Sequence, residues 1–380
     1  MPARPLSRLL SGPVSRLRDR IAFEARALAT PGPRMVDEVE CVLSVLLAIL
    51  LAHLIGAQNV SWAAFSGYMV MRGHVAESLL RGVLRIIGTG AGAGLALLLT
   101  PVLRLSLTAA ALAAALVGGL TLYASITAKR AYAWLFVGLT FEMILLDKLQ
   151  HPARALDHFA AMRMLEVAAG TLACVAVSCF STLTARRRWP AVRAAKPRRL
   201  GWHPHAARHA AQAAIAIALL FPLWSWFAIP ELSQSAVTIL AVMIVPATSL
   251  GASGLAPVST RLLQRVAGCI AGSALAALFL FSAHGTPWIL IAGTALGVAI
   301  GRHIENGKTG IAYIGTQFTL AILVTLVPDS YADAAITPAT DRLLGILIGL
   351  ALLEPVLLAW HLLAPAEKAK AASAGEVSLE

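Results

Sequence analysis

Of 380 residues, 58% are hydrophobic and only 13% are charged, whereas a soluble domain carries roughly 25% charged residues. Too little polar surface is available to cover a water-exposed globule, and the apolar residues come in long blocks, many near the ~20 residues a helix needs to cross a bilayer. Composition therefore excludes a soluble enzyme or binding domain. It points to an all-α, polytopic membrane protein.

Residues 1–35 carry arginine throughout and lack a continuous apolar core, so they do not read as a cleavable signal. Val14, Leu17, Ile21, Ala25 and Leu28 share one helical face with Arg16, Arg20 and Arg26 off it. This pattern predicts a basic amphipathic helix on the cytoplasmic leaflet. Apolar segments follow at about 37–57, 59–72, 82–100, 106–127, 131–147 and 160–184, and at about 207–228, 233–250, 262–282, 286–301, 309–327 and 342–363. The second and the tenth are short enough to be tilted, broken or re-entrant. The expected domains are thus a first six-helix repeat over 36–185, a basic linker over 186–206, a second repeat over 207–365 and a polar tail over 366–380.

With the N-terminus in the cytoplasm, only Arg104, Lys148, Arg154, Arg163 and Arg342 of the 31 Lys and Arg fall on the outer side. This is the positive-inside bias, and it places both termini in the cytoplasm. The net charge of +12 then faces anionic membrane lipid, and no nucleic-acid partner is needed to account for it. Cys41, Cys174, Cys179 and Cys269 lie in apolar blocks with no zinc or disulfide spacing. No metal or other cofactor is expected.

The two sets of six repeat one another. RGVLRIIGTGAGAGLALLL at 81–99 returns as RLLQRVAGCIAGSALAALF at 261–279, so that Arg81, Arg85, Gly88, Gly92 and Ala96 correspond to Arg261, Arg265, Gly268, Gly272 and Ala276. MRMLEVAAGTLA, with Arg163 and Gly170, matches DRLLGILIGLAL, with Arg342 and Gly349. YAWLFVGLTF at 132–141 aligns with TGIAYIGTQF at 309–318 at an offset of 177 (315 − 138), which sets Gly138 against Gly315 and Thr140 against Gln317. Six crossings return the chain to its starting side, so the repeats are parallel and related by an axis along the membrane normal.

Arg85 and the glycines share a helical face. The Gly88/Gly92 pair admits a neighbouring backbone, and a second pair, Gly90/Gly94, on the opposite side predicts a helix gripped from two directions. Arg81 and Arg261 read equally well as headgroup anchors. Arg85 and Arg265 lie a turn deeper, on the face that meets protein, where arginine marks an anion path. Arg163 and Arg342 enter from the outer end. Arg163 has Glu166 three residues on as an ordinary ion-pair partner, whereas Gly345 stands in that place for Arg342.

Thr140 and Gln317 can hydrogen-bond either a substrate or a neighbouring helix. For proton coupling the candidates are Glu354, near mid-depth beside Pro355, Glu142, which lies near enough the outer end to reach water, and His53, which also reads as a packing residue. Trp62, Trp224 and Trp226 read as interfacial belt residues. No P-loop, H-E-x-x-H or Gly-x-Ser-x-Gly is present, so no enzyme is expected.

WAAFSGYMVM, RGVLRIIGTGAGAGLALLL, YAWLFVGLTF and RMLEVAAGTLA together resemble the fusaric acid resistance family, which includes bacterial aromatic acid exporters and is distantly similar to plant aluminium-activated malate transporters. The resemblance implies export of aromatic or other organic carboxylates across the bacterial inner membrane, with Arg85, Arg163, Arg265 and Arg342 lining the path. Larger members carry cytoplasmic domains after each membrane half, absent here, which puts coupling to a periplasmic adaptor protein in question. A passive anion channel and a non-transporting scaffold are the alternatives. They differ from an exporter in whether proton movement is coupled and whether the arginines share one central space.

Overall fold

The computed structural model describes residues 24, 30–192, 201–250, 254–307 and 310–363. The expected N-terminal amphipathic face, linker residues 193–200 and the polar tail lie outside the described residues. The described chain is all-α: α1 (Pro33–Leu54), α2 (Val60–Val70), α3 (Val75–Leu103), α4 (Leu107–Thr127), α5 (Ala131–Gln150), α6 (Leu156–Leu183), a four-residue α7 (Ala185–Arg188), α8 (Pro204–Phe227), α9 (Leu232–Met243), α10 (Leu255–Ala283), α11 (Pro287–Glu305), α12 (Ala312–Leu326) and α13 (Thr337–Leu363).

Among the described residues seven helices, α3, α4, α6, α8, α10, α11 and α13, are long and apolar enough to cross a membrane. Helices α1 and α5 have 22 and 20 residues but contain Asp37, Glu38 and Glu40, and Glu142, Asp147 and Lys148 respectively. Helices α2, α9 and α12 are short, with 11, 12 and 15 residues. The tenth segment is therefore not short. It extends through Gly301 and Arg302 to Glu305, because its terminal charges have partners inside the bundle. The eighth ends early instead: after Met243 the chain meets Pro246, which has no N–H for a continuing helix, and turns through Ala247–Ser249.

Side-chain size is sorted as lipid demands. On α4 the exposed stripe is Leu112, Leu116 and Leu120, while Ala110, Ala114, Gly118 and Thr121 are buried. Large apolar residues outside and small ones inside let helix backbones approach within the bundle, where lipid supplies no hydrophobic drive for association. The chain is a multi-pass membrane protein.

The glycines of the repeated motif supply that close approach. A Cβ at Gly92 would lie 2.5 Å from the Val137 carbonyl oxygen and 3.0 Å from the Thr140 Cβ, and one at Gly268 would lie 2.6 Å from the Ile314 oxygen and 2.8 Å from the Gln317 Cβ. Helix α3 thus lies directly on α5, and α10 on α12. Gly88 likewise meets Ala133 and Phe136. These contacts correct the third alignment. Gly88 and Gly268 are 180 apart, and their neighbours Phe136 and Gln317 are 181 apart (317 − 136), so Gln317 corresponds to Phe136 and Thr140 to Ala321. The sequence match slipped by about one helical turn, because small residues every four positions look alike when displaced by 3.6 residues. The opposite face differs from expectation too. Gly94 is exposed with nothing near its Cβ position, and Gly90 touches only the end of Met164, so this pair makes no second close contact; Gly82 makes it instead, against Thr171 of α6.

One substitution pair tests the packing. Gly92→Ala forces the α3–α5 backbones apart and should cost about 1–3 kcal/mol, the usual range for overpacking, while Gly94→Ala should be neutral or slightly stabilising. Thermal unfolding of the purified protein in detergent reads both; equal effects at the two positions would show that the glycine contact is not what holds α3.

Candidate anion-binding cavity

The bundle holds a partly open cavity of about 470 Å³. Its lining is built mostly from corresponding positions of the two sequence halves. Helix α3 brings Arg81 and Arg85, and α10 brings Arg261 and Arg265; α6 and α13 bring Arg163 and Arg342; α5 and α12 bring Tyr132 and Tyr313. Arg85 is ten residues into α3 and Arg163 seven into α6, so at 1.5 Å per residue they are carried about 15 Å and about 10 Å inward from opposite ends. They therefore meet in one space. They come together most directly at Gln317, whose Oε1 accepts from Arg265 Nη1 at 3.0 Å and from Arg342 Nη2 at 3.1 Å.

Aromatic faces and hydroxyls hold the guanidinium groups. Arg81 lies 4.0 Å from the centre of the Tyr132 ring and Arg261 4.1 Å from that of Tyr313. The two tyrosine hydroxyls each accept at 3.3 Å, from Arg85 Nη1 and Arg265 Nη1. Arg85 also lies 4.1 Å over Phe136 and donates through Nε to Ser66 Oγ at 3.0 Å, while Arg163 lies 4.1 Å over Trp62. Cation–π contacts strengthen where water is excluded, and here they replace much of the lost hydration. Tyr132 and Tyr313 were missed in the sequence; the signal was a tyrosine in the first turn of each partner helix, hidden by the slipped alignment.

Charge is not balanced. Eight arginines line the cavity (Arg72 and Arg302 complete the set), with Glu305 as the acid in the lining. Arg163 pairs with Glu166 at 3.0 Å, and Arg302 with Asp37 at 2.6 Å and Glu305 at 3.2 Å. Among the described residues no carboxylate lies within 4.0 Å of Arg72, Arg81, Arg85, Arg261, Arg265 or Arg342. Arg85 and Arg265 are each 2% exposed, and Arg265 Nε and Nη2 have no hydrogen-bond partner. Buried cations lacking counter-ions, in a space large enough for a small organic molecule, form a site for an anion.

The walls differ from one half to the other. Trp62, Phe65 and Phe136 stand where the second half has Gln234, Val237 and Gln317. One side of the cavity is aromatic, the other amide-bearing.

Where α1 meets α11, an ionic cluster closes one end. Arg302 Nε donates to Asp37 Oδ2 at 2.6 Å, Asn306 to the same oxygen at 2.8 Å, and Tyr68 OH to Glu305 Oε2 at 2.6 Å. His303 Nδ1 lies 2.8 Å from Glu38 Oε1, and Arg186 Nε donates to Glu40 Oε1 at 2.8 Å. The sequence held the signal: acids at 37, 38 and 40 at the start of one apolar segment, and Arg302 and His303 at the end of another. Near the opposite end, in the loop after α12, burial pushes the Asp329 carboxyl up while its Oδ1 accepts from the Val60 amide at 2.8 Å.

A family comparison accords with this architecture. Fusaric acid resistance protein-like sequences match residues 47–177 and 213–353, more than half of the chain and one stretch in each sequence half. The chain belongs to the fusaric acid resistance protein-like family. It is a membrane protein of that family, and among the described residues no group of His, Cys, Asp and Glu could hold a metal ion. No curated protein matches it, and no solved structure does.

In this family member the expected site residues divide. Arg81, Arg85, Arg163, Arg261, Arg265, Arg342, Thr140 and Gln317 all line the cavity. Glu354, Glu142 and His53 do not. Glu354 is half-buried on α13. His53 bonds the Ile49 carbonyl through Nδ1 at 2.9 Å and stacks on Tyr331, a packing role. Glu142 does not reach water: it is fully buried between α4, α8 and α9, near Gly118, Ile217 and Leu240, and neither carboxyl oxygen has a hydrogen-bond partner. Trp62 is no belt residue but the floor under Arg163; Trp226 is exposed, and Trp224 packs partly buried against the core.

The ionic cluster is a stability element with a definite signature. Arg302→Met leaves buried Asp37 with only the Asn306 amide and the more distant Arg186, at 3.6 Å, to hold its charge and should cost about 3 kcal/mol, whereas Arg302→Met combined with Asp37→Leu should cost clearly less than the sum of the two single changes. Unfolding midpoints of the three variants check this, and strict additivity would mean that the pair is not coupled.

Proposed function

We propose that this protein is a secondary exporter of organic anions, most simply aromatic carboxylic acids, across the bacterial inner membrane. Its twelve longer helices would form two parallel six-helix repeats, with α2, α9 and α12 as broken or partial spans around the site. The observation that carries the reading is the cavity: six arginines without carboxylate partners among the described residues converge on a space with one aromatic wall. Arginine attracts and orients a carboxylate by paired hydrogen bonds, the aromatic wall takes a ring, and family membership supports an efflux role.

For coupling we assign Glu142 rather than Glu354. It is a carboxyl sealed among apolar residues at a seam between helices, with no cation or donor to compensate a charge in this packing. A group of that kind can exchange its proton only when the seam opens, which links protonation to conformation. Thr140 and Met143, its neighbours on α5, face the cavity, so ligand contact and the seam share one helix.

Expression in an efflux-deficient bacterial host should raise tolerance to one or more members of a panel of aromatic carboxylic acids. Arg85→Ala combined with Arg265→Ala should lower that protection by about tenfold or more, since each charge-assisted hydrogen bond is worth about 1.5–3 kcal/mol. Equal protection by the double variant would falsify the arginine mechanism. In proteoliposomes, Glu142→Gln should abolish proton-linked movement of the acid; undiminished proton-linked movement would remove Glu142 from the coupling, and movement without protons in the wild type would identify a passive channel.

A further inference from the structure

The two halves of the cavity act as controls for each other, and they differ in one chemical respect. On the first side Arg163 already holds a carboxylate from its own helix, Glu166, at 3.0 Å. At the corresponding place in α13 the residue is Gly345, so Arg342 has no such partner, and Arg265 has none either. A neutral amide oxygen stands between these two cations instead, accepting from Arg265 at 3.0 Å and from Arg342 at 3.1 Å. The Cys269 thiol also lies against Arg342. In the first half the place of Gln317 is taken by Phe136, whose ring lies under Arg85. We infer that the ligand's carboxylate docks at the Arg265–Arg342 pair, and that Gln317 is a tethered placeholder for it and a specificity-determining residue.

Two guanidinium groups brought this close repel each other, and a single amide dipole offsets only part of that repulsion. A carboxylate supplies two acceptor oxygens and a full charge; to Arg163, Glu166 supplies the charge through Oε2, its Oε1 accepting from the Asn59 amide. Among the described residues Arg265 Nε and Nη2 and Arg342 Nε have no hydrogen-bond partner, so the pair has donors left over that a ligand held between the two guanidinium groups could draw on. Arg265 and Arg342 are 2% and 4% exposed, so water does not satisfy these groups from bulk. The aromatic wall of Trp62, Phe65 and Phe136 belongs to the other half, which sets the ligand's polarity: carboxylate toward the second half, ring toward the first. In this arrangement Gln317 competes with the ligand for the same two cations, and the site is poised rather than saturated.

The inference rests on the organic-anion reading, and one titration series separates their failures. The full chain in lipid nanodiscs is titrated calorimetrically with benzoate, the smallest aromatic monocarboxylate. Gln317→Glu places a tethered carboxylate between the arginines and should weaken benzoate by about tenfold or more. Gln317→Leu removes the competitor without adding charge and should tighten benzoate by about threefold or more; equal or weaker binding overturns the inference, and this variant decides the matter if Gln317→Glu does not fold. Arg265→Ala is the reference. If it loses benzoate while folded Gln317→Glu keeps wild-type affinity, the placeholder falls and the organic-anion reading stands. If the wild-type protein does not bind benzoate, both fall.

Discussion

Everything in the site follows from the difficulty of holding charged guanidinium groups inside an apolar bundle without giving each a carboxylate. Full pairing would neutralise the cavity; no support at all would be prohibitively costly. The chain takes an intermediate course. Tyrosine, phenylalanine and tryptophan faces lie under the cations, tyrosine and serine hydroxyls accept single hydrogen bonds, and several remaining donors have no partner among the described residues. This requires the aromatic helices α5 and α12 to run very close to α3 and α10. The glycines at 88, 92, 268 and 272 exist for that approach, so the packing motif and the chemical motif are one motif.

The same sorting of charge distinguishes two of the contacts between the sequence halves. Where α4 meets α8 the contact is made of Ala110, Ala114, Ala213, Ala216 and Ile217, part of a continuous apolar core. Where α1 meets α11 it is the cluster of Asp37, Glu38, Arg302 and His303, with Arg186 and Glu40 behind it. Apolar contacts are uniform in strength along their length, whereas a hydrogen-bonded ionic contact has one favoured geometry and weakens abruptly when displaced. The cavity lies between a forgiving seam and an exacting one.

Much of this was legible in the sequence, and the parts that were not share a cause. Helical class, segment positions and the Arg85/Arg265 and Arg163/Arg342 correspondences follow from local periodicity and charge bias. The depth of the arginines did not, because segment ends were set by hydropathy: α6 and α13 begin several residues before their apolar stretches, carrying Arg163 and Arg342 inward. The partner of Gln317 was misread because a helix displaced by one turn presents nearly the same small-residue pattern. Glu142 looked accessible from its nearness to a segment end; only the helices packed around it show that it is sealed. Partners at a distance of hundreds of residues, such as Asp37 and Arg302, leave no local trace.

The threonine and glycine that interlock partway along each aromatic helix show how far the halves have diverged. In the first half Thr121 on α4 fills the space left by Gly138 on α5; in the second, Gly301 on α11 leaves the space that Thr319 on α12 fills. Knob and socket have changed places. The ionic cluster adds to this, since the first-half counterpart of Arg302 is Leu122, buried among apolar neighbours. A molecule assembled from two copies of either half would therefore bring unlike surfaces into register, acids facing leucine in one case and bases facing no acid in the other. Continuity of the polypeptide is thus more than a tether: it guarantees that each half meets only the other, and never its own kind.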